Sequence, residues 1–207
     1  MITCIVILTN ERIVTGSTDS RITIWNLKNE KYNKTLIGHS KGIQCMSLLS
    51  DSSYRIVSGS VDCTLKIWNT SDFNFSDECD AILTGHTDSV NCVCALHDGR
   101  IVSGSYGPID GTLRIWDVQT KECNIIIRSS FIRCINVLPD GRIISGSIGN
   151  TLYVWNQWTG ALDVSLFSSS GKFYRPFNLD CVNFIIVLSN GQIVTSNVEN
   201  NTLLLWS

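Results

Sequence analysis

The sequence predicts an all-β fold, a β-propeller of five repeats whose last blade lacks its outer strand, and three observations carry that expectation. One phrase recurs five times and closes on tryptophan: RIVTGSTDSRITIW, RIVSGSVDCTLKIW, RIVSGSYGPIDGTLRIW, RIISGSIGNTLYVW and QIVTSNVENNTLLLW, ending at Trp25, Trp68, Trp116, Trp155 and Trp206. The closing tryptophans lie 43, 48, 39 and 51 residues apart, around the period of about 40–45 residues that marks a four-stranded propeller blade. Hydrophobic residues make up 43% of the 207 and charged residues 16%, a balance that suits sheets covered on both faces.

Each repeat divides in the same way. In the third, VNCVCAL is a first strand, His97-Asp98-Gly99 a turn and RIVSGS a second strand. A second turn runs from Gly107 to Gly111, followed by TLRIW as third strand and CNIIIR as fourth. The turns carry Gly, Asp and Asn, which tolerate the positive φ of tight hairpins. The fourth strands of the first four repeats are KTLIG, DAILTG, CNIIIR and LDVSLF, and the fifth repeat has none. One domain over residues 1–207 is expected, with blades at about 1–39, 40–86, 87–128, 129–178 and 179–207. Three architectures fit: a part of a larger propeller, a small five-bladed ring with an imperfect last blade, or an open arc completed by another copy or a partner.

The best copies combine a Gly-His dipeptide, a serine in the second strand, an aspartate in the following turn and the closing tryptophan. In this the chain resembles the WD-repeat family over essentially its whole length. The resemblance implies a hydrogen-bonded tetrad inside a blade, formed by His39, Ser58, Asp62 and Trp68 in the second repeat and His86, Ser103, Asp110 and Trp116 in the third. It implies partial tetrads elsewhere. The first repeat has Thr15, Asp19 and Trp25. The fourth has Ser145 and Trp155, with Arg128 and Gly149 in the other slots, and the fifth has Thr195 and Trp206 with Asn178 and Asn200.

The same resemblance implies a binding face at the channel mouth, built from the starts of first strands and the turns between second and third strands. The matching residues are Gln44 and Val61, Ser89 and Asn91, Phe131, Arg133 and Ile148, then Cys181, Asn183 and Glu199. Two insertions lengthen loops on that side: residues 106–109, beginning at Tyr106, and residues 168–176, which contain Phe173, Tyr174 and Arg175. Trp158 falls in a turn at the opposite end of the blades, and an acidic insertion near Phe73 and Phe75 lies on that opposite side too. Aromatic residues and arginine dominate binding hot spots, which singles out Phe131 and Arg133.

Composition narrows function by exclusion. The net charge is −2 with no long basic run, so nucleic-acid binding has little electrostatic support. No secretory leader is visible and no run of about 18 apolar residues occurs, so no membrane association is expected. Nine cysteines without a CxxC pair read as reduced thiols of an intracellular protein, cytoplasmic with the nucleus as an alternative. Cys4, Cys45, Cys92 and Cys134 recur at one slot, which predicts packing thiols instead of metal ligands; no cofactor or metal is expected.

The His, Ser and Asp residues look like hydrolase ingredients, yet a fastening recurs and a nucleophile does not. The expected function is therefore a non-catalytic protein–protein interaction scaffold or adaptor, presenting a propeller face and loops to proteins or peptides, with no small-molecule substrate. Self-association through uncapped terminal blades is a further expectation. Alternatives are a substrate-recruiting subunit of a ubiquitin-ligase-type assembly, a propeller hydrolase, and a degenerate fragment of a larger propeller without its own activity. The first of these leans on Trp25-Asn26-Leu27-Lys28, which loosely resembles the WDxR docking motif of such receptors.

Overall fold

Five antiparallel sheets follow one another along the chain, each a meander of hairpins. The computed structural model describes residues 1–8, 11–28, 31–50, 54–71, 78–129, 131–147, 151–167, 182–197 and 202–206, and among these there is no helix. The first sheet joins β1 (Ile2–Leu8), β2 (Arg12–Ser17), β3 (Arg21–Asn26) and β4 (Lys31–Ile37) in that order. The second joins β5 (Ile43–Leu48), β6 (Arg55–Ser60), β7 (Leu65–Asn69) and the short β8 (Ala81–Leu83). The third contains β9 (Val90–Ala95), β10 (Ile101–Ser105), β11 (Thr112–Trp116) and β12 (Cys123–Arg128). The fourth contains β13 (Cys134–Val137), β14 (Ile143–Gly146), β15 (Thr151–Trp155) and β16 (Leu162–Phe167). The fifth has three strands, β17 (Val182–Val187), β18 (Ile193–Asn197) and β19 (Thr202–Trp206), with no fourth strand beside β19 among the described residues.

Strand alternation gives every sheet two apolar faces, and the core is divided into four clusters that each fill the space between successive sheets. Val14, Ile22, Ile24 and Leu36 of the first sheet meet Ile43, Ile56 and Trp68 of the second. Val57, Leu65 and Leu83 meet Val90, Ile101 and Trp116. Val102, Leu113 and Ile127 meet Ile132, Ile143 and Trp155. Ile144, Leu152 and Val154 meet Val182, Ile185 and Ile193. The closing tryptophans of the second, third and fourth sheets thus lie on the face turned to the preceding sheet. Among the described residues no cluster joins the fifth sheet to the first, and their outer faces lie open. Ile5 and Ile7 are 59% and 75% exposed on one, and Leu203 and Leu205 are 66% and 62% exposed on the other.

A close approach fixes how the sheets stack. A Cβ placed on Gly59 would lie 2.7 Å from Cys45 Sγ in its own sheet and 2.7 Å from a methyl of Val90 in the next. The same 2.7 Å pair recurs at Gly16 with Cys4 and Ile43, and at Gly104 with Cys92 and Ile132. At Gly146 the distances are 2.6 Å to Cys134 Sγ and 2.7 Å to Val182 Cβ. The middle glycine of each SGS or TGS phrase is therefore a socket that receives the opening aliphatic residue of the following sheet. The repeated cysteine is the small wall of that socket, and burial pushes the Cys45 and Cys92 thiols well above their ordinary value. In the fifth sheet Ser196 and Phe184 stand in the glycine and cysteine slots, and Ser196 Oγ accepts a hydrogen bond from the Phe184 N–H at 3.2 Å.

Filling a socket should loosen the stack. Gly104→Ala is expected to lower the unfolding free energy by about 1–3 kcal/mol, the usual cost of overpacking a dense core. Urea titration followed by tryptophan fluorescence reads this, and an unchanged midpoint would show that the sheets are spaced by something else.

Candidate functional site

Tryptophan, serine, histidine and aspartate form a directed relay in the second and third sheets. An indole can only donate and an ionised carboxylate can only accept, which orders the protons between them. Trp68 Nε1–H donates to Ser58 Oγ at 2.8 Å, the hydroxyl meets His39 Nε2 at 2.8 Å, and His39 Nδ1 meets Asp62 Oδ2 at 2.8 Å. Asp62 also accepts from the backbone N–H groups of Ser40 and Thr64 at 3.0 Å each. Trp116, Ser103, His86 and Asp110 repeat the relay at 2.8, 2.8 and 2.6 Å. Gly38 makes room for it, since a Cβ there would lie 2.9 Å from the Trp68 ring.

The other sheets keep one link of the relay. Trp25, Trp155 and Trp206 donate to Thr15, Ser145 and Thr195 at 2.9, 2.9 and 3.0 Å. Asp19 instead accepts from the Arg21 N–H in its own exposed turn, and Arg128 ends β12 exposed to solvent.

Burial sets the charge state of the relay. It pushes the His39 and His86 imidazoles below their ordinary 6.5, against the pull of Asp62 and Asp110, so both are neutral near pH 7. Burial alone would raise Asp62, but the bonds from Thr64, His39 and Ser40 outweigh it and hold its carboxyl at about 2. Asp110 is lowered in the same way, burial being outweighed by Thr112, the Thr87 N–H and His86. Ser58 and Ser103 are wholly buried, with both ends of each hydroxyl engaged. These serines fasten a hairpin and have no lone pair directed at solvent.

A second polar device was not evident in the sequence. The arginine that opens the repeated phrase bolts one sheet to the next at the end opposite the relay turns. Arg12 Nη1 donates to the Thr70 carbonyl at 3.0 Å, and Arg100 Nη1 donates to the Gln157 carbonyl at 3.1 Å. Thr70 and Gln157 each stand two residues after the closing tryptophan of the following sheet. That shared offset was the available signal.

Gln44, Asn91 and Asn183, expected at the binding face, are set by a β-bulge at the start of the first strand. Pairing jumps over one residue between Ile2 and Cys4, between Ile43 and Cys45, and opposite Gly104 and Ser105, leaving Thr3, Gln44 and Asn91 out of the ladder. A wider shift between Val182 and Ile185 frees Asn183, and Arg133 takes the same slot just before β13. Bulges re-aim side chains at sheet ends. The residue types at this slot (Thr, Gln, Asn, Arg, Asn) share no pattern that stacking requires. Thr3 Oγ1 donates to the Ile43 carbonyl at 2.8 Å, whereas Asn91 Oδ1 is buried without a partner. Val61, half-buried in the β6–β7 turn, donates its N–H to the Gly42 carbonyl at 3.0 Å.

Four of the sequence-derived candidates come together. Arg133 lies over the Tyr106 ring with Cζ 4.7 Å from the centroid, and Phe131 meets that ring edge-on at 5.7 Å. Arg133 Nη1 also donates to Asn183 Oδ1 at 3.0 Å, so residues from the third, fourth and fifth sheets form one cluster. Trp158 does not join it: it is 62% exposed, in the β15–β16 turn at the other end of the sheets. Ile148, Phe173, Tyr174 and Arg175, with Gly149, Asn178, Cys181, Glu199 and Asn200, lie outside the described residues.

A stack of tryptophan-closed four-stranded sheets with internal Ser-His-Asp fastenings defines a repeat protein of the propeller class. The family model for the WD domain, G-beta repeat (WD40), matches residues 30–69, 77–117 and 121–156, more than half of the sequence. The chain belongs to the WD40 repeat family. It is 38% identical over 120 residues to nuclear distribution protein nudF of Emericella nidulans, covering 57% of this chain and 26% of that protein. It is 34% identical over 150 residues to WD repeat-containing protein pop2 of Schizosaccharomyces pombe, covering 58% and 21%. Against ribosome biogenesis protein YTM1 of Vanderwaltozyma polyspora it is 34% identical over 128 residues, covering 56% and 27%. The aligned part thus amounts to 21–27% of the length of these relatives. Its fold is that of the WD40 β-propeller domain of Doa1, with a TM-score of 0.77 at 22% identity over 96% of this chain and 61% of that one.

Unequal fastenings should have unequal energies. Ser58→Ala strands two buried groups, Trp68 Nε1 and His39 Nε2, while Ser145→Ala strands Trp155 Nε1 alone. With about 1–3 kcal/mol for each buried group left unpaired, the first substitution should cost more in a denaturant titration, and equal costs would contradict the relay.

Stability should also fall in acid by two stages. The histidines are depressed in the folded state, so their contribution is complete above pH 6.5 and declines as pH drops below it. Asp62 and Asp110 are depressed too, and their contribution is complete above 3.8 and lost as pH falls toward the folded value, about 2 for Asp62. Urea midpoints measured from pH 8 to pH 2 would show both stages. A midpoint that rises between pH 6.5 and 5 would overturn the assignment of neutral histidines.

Proposed function

We propose that this chain acts by binding and not by catalysis, as a scaffold or adaptor that holds other proteins or peptides on its channel-mouth face. One observation carries the reading: Thr3, Gln44, Asn91, Arg133 and Asn183 lie at the starts of successive first strands, at one end of the sheets, four of them skipped by the strand pairing, and their residue types vary from sheet to sheet. The groups that resemble a hydrolase set are consumed elsewhere, since His39, His86, Ser58 and Ser103 are buried within the fastenings. An array whose fastening residues face inward and whose variable side chains line one end suits recognition through an assembled surface. The names of the relatives, a nuclear distribution protein and a ribosome biogenesis protein, are compatible with work inside larger assemblies.

Affinity purification of the tagged chain with quantitative mass spectrometry tests this. The wild type is compared with a Phe131→Ala/Arg133→Ala double variant whose folding is verified by its urea midpoint. At least one abundant partner should fall by about tenfold or more, as for loss of hot-spot residues. Recovery of the same partners in the same amounts would remove this face from the function.

A further inference from the structure

The cluster around Arg133 has features that the fold itself does not need. The turn between β10 and β11 is longer than its counterpart in the second sheet, and the extra residues bring in Tyr106, whose ring carries the Arg133 guanidinium at 4.7 Å. Phe131 braces that ring from the fourth sheet, and it does so with φ at +48°, a left-handed conformation uncommon for a bulky residue. Arg133 itself is exposed. Its position is fixed further by the bond from Nη1 to Asn183 Oδ1. A long, otherwise mobile cation is thus held at two points, by Tyr106 of the third sheet and Asn183 of the fifth.

Among the described residues no carboxylate pairs with Arg133. Asp110 is occupied by His86, Thr112 and the Thr87 N–H, and Asp88 Oδ1 accepts from the Ser89 N–H. Asn183 takes only one of the guanidinium's N–H groups. Among the described residues the edge formed by Nε and Nη2, the fork that grips a carboxylate through two parallel bonds, is left unbound. Ile109, on the same inserted turn as Tyr106, is 78% exposed and offers an apolar side chain to a partner.

We propose that the Tyr106–Phe131–Arg133 cluster is a docking point for an acidic peptide segment, in which an aspartate or glutamate carboxylate pairs with Arg133 and a neighbouring apolar side chain covers Ile109. The inference rests on the interaction reading above and names the partner chemistry of that same face. Arginine is already ordered by the aromatic ring, so little side-chain freedom is lost when the carboxylate arrives. The inserted residues 106–109, which Tyr106 begins, serve to fix the arginine for its partner.

The test uses a phage-displayed library of random 12-residue peptides selected against the purified chain. Selected sequences should be enriched in Asp or Glu next to an apolar residue. The best binder and its Glu→Gln (or Asp→Asn) counterpart are then measured by fluorescence anisotropy against the wild type, Arg133→Gln and Tyr106→Leu. Removing the peptide carboxylate should weaken binding to the wild type by about tenfold or more, the scale of a charge-assisted bond, with little further effect against Arg133→Gln. Tyr106→Leu, which keeps the charge and removes its platform, should weaken the acidic peptide by several-fold. Selection of no binder, selection without acidic enrichment, or a carboxylate effect equal in wild type and Arg133→Gln would each overturn the proposal. Cellular partners that bind the wild type and ignore Arg133→Gln would overturn it while leaving the scaffold reading in place.

Discussion

Contact between a glycine, a thiol and a branched aliphatic side chain sets the geometry on which the remaining structure depends. At Gly16, Gly59, Gly104 and Gly146 the second strand comes so close to its neighbours that one added carbon would overlap both. Dense interiors do not absorb such an overlap without displacement. The aliphatic residue that enters the socket opens the next sheet, so the position of each first strand is registered against the sheet before it. The bulge follows at once, and the direction of Gln44, Asn91 and Arg133 is therefore inherited from the socket. A surface that binds is here a by-product of a rule about packing.

The polar groups divide their labour along the same lines. Relays of Trp, Ser, His and Asp hold the turn of a sheet to its own strands, while Arg12 and Arg100 reach across to the following sheet at the opposite end. The second and third sheets have the full relay, and the first, fourth and fifth retain the indole–hydroxyl bond alone. Each relay is neutral overall at the imidazole and ionised at the carboxylate, which suits buried groups that satisfy one another. Residues that resemble a hydrolase set in a linear reading are explained by this: their spacing repeats because the hairpin repeats.

Much of the fold was legible in the sequence because its constraints recur. Trp68, Ser58 and Gly59 hold their offsets in copy after copy, since every sheet must close the same hairpin and accept the same neighbour. The repeated cysteine was recognisable as a packing group for that reason, although the glycine facing it was not. What recurs least was hardest to read. The bulge leaves no trace in hydrophobic alternation, because Thr3, Gln44, Asn91 and Arg133 have no common character for a pattern to detect. The stacking of Arg133 on Tyr106 joins residues of different sheets, and only the assembled array brings them within 4.7 Å. Phe131 was noticed for its type, but its left-handed backbone, which turns it toward that ring, could not be anticipated.

The socket also bears on how such an array can change its size. Ile43, Val90, Ile132 and Val182 enter equivalent seats, so a tandem copy of one internal unit would bring its own opening residue and its own glycine. Both new junctions would match those already present, and an in-frame duplication within the first four sheets would meet no packing barrier. The fifth sheet differs, because Ser196 and Phe184 stand where the glycine and cysteine stand in the others, and the Ser196 hydroxyl bonds the Phe184 N–H. Growth by copying is thus compatible with the interior of this array, whereas the fifth sheet lacks the glycine on which the matching junction depends.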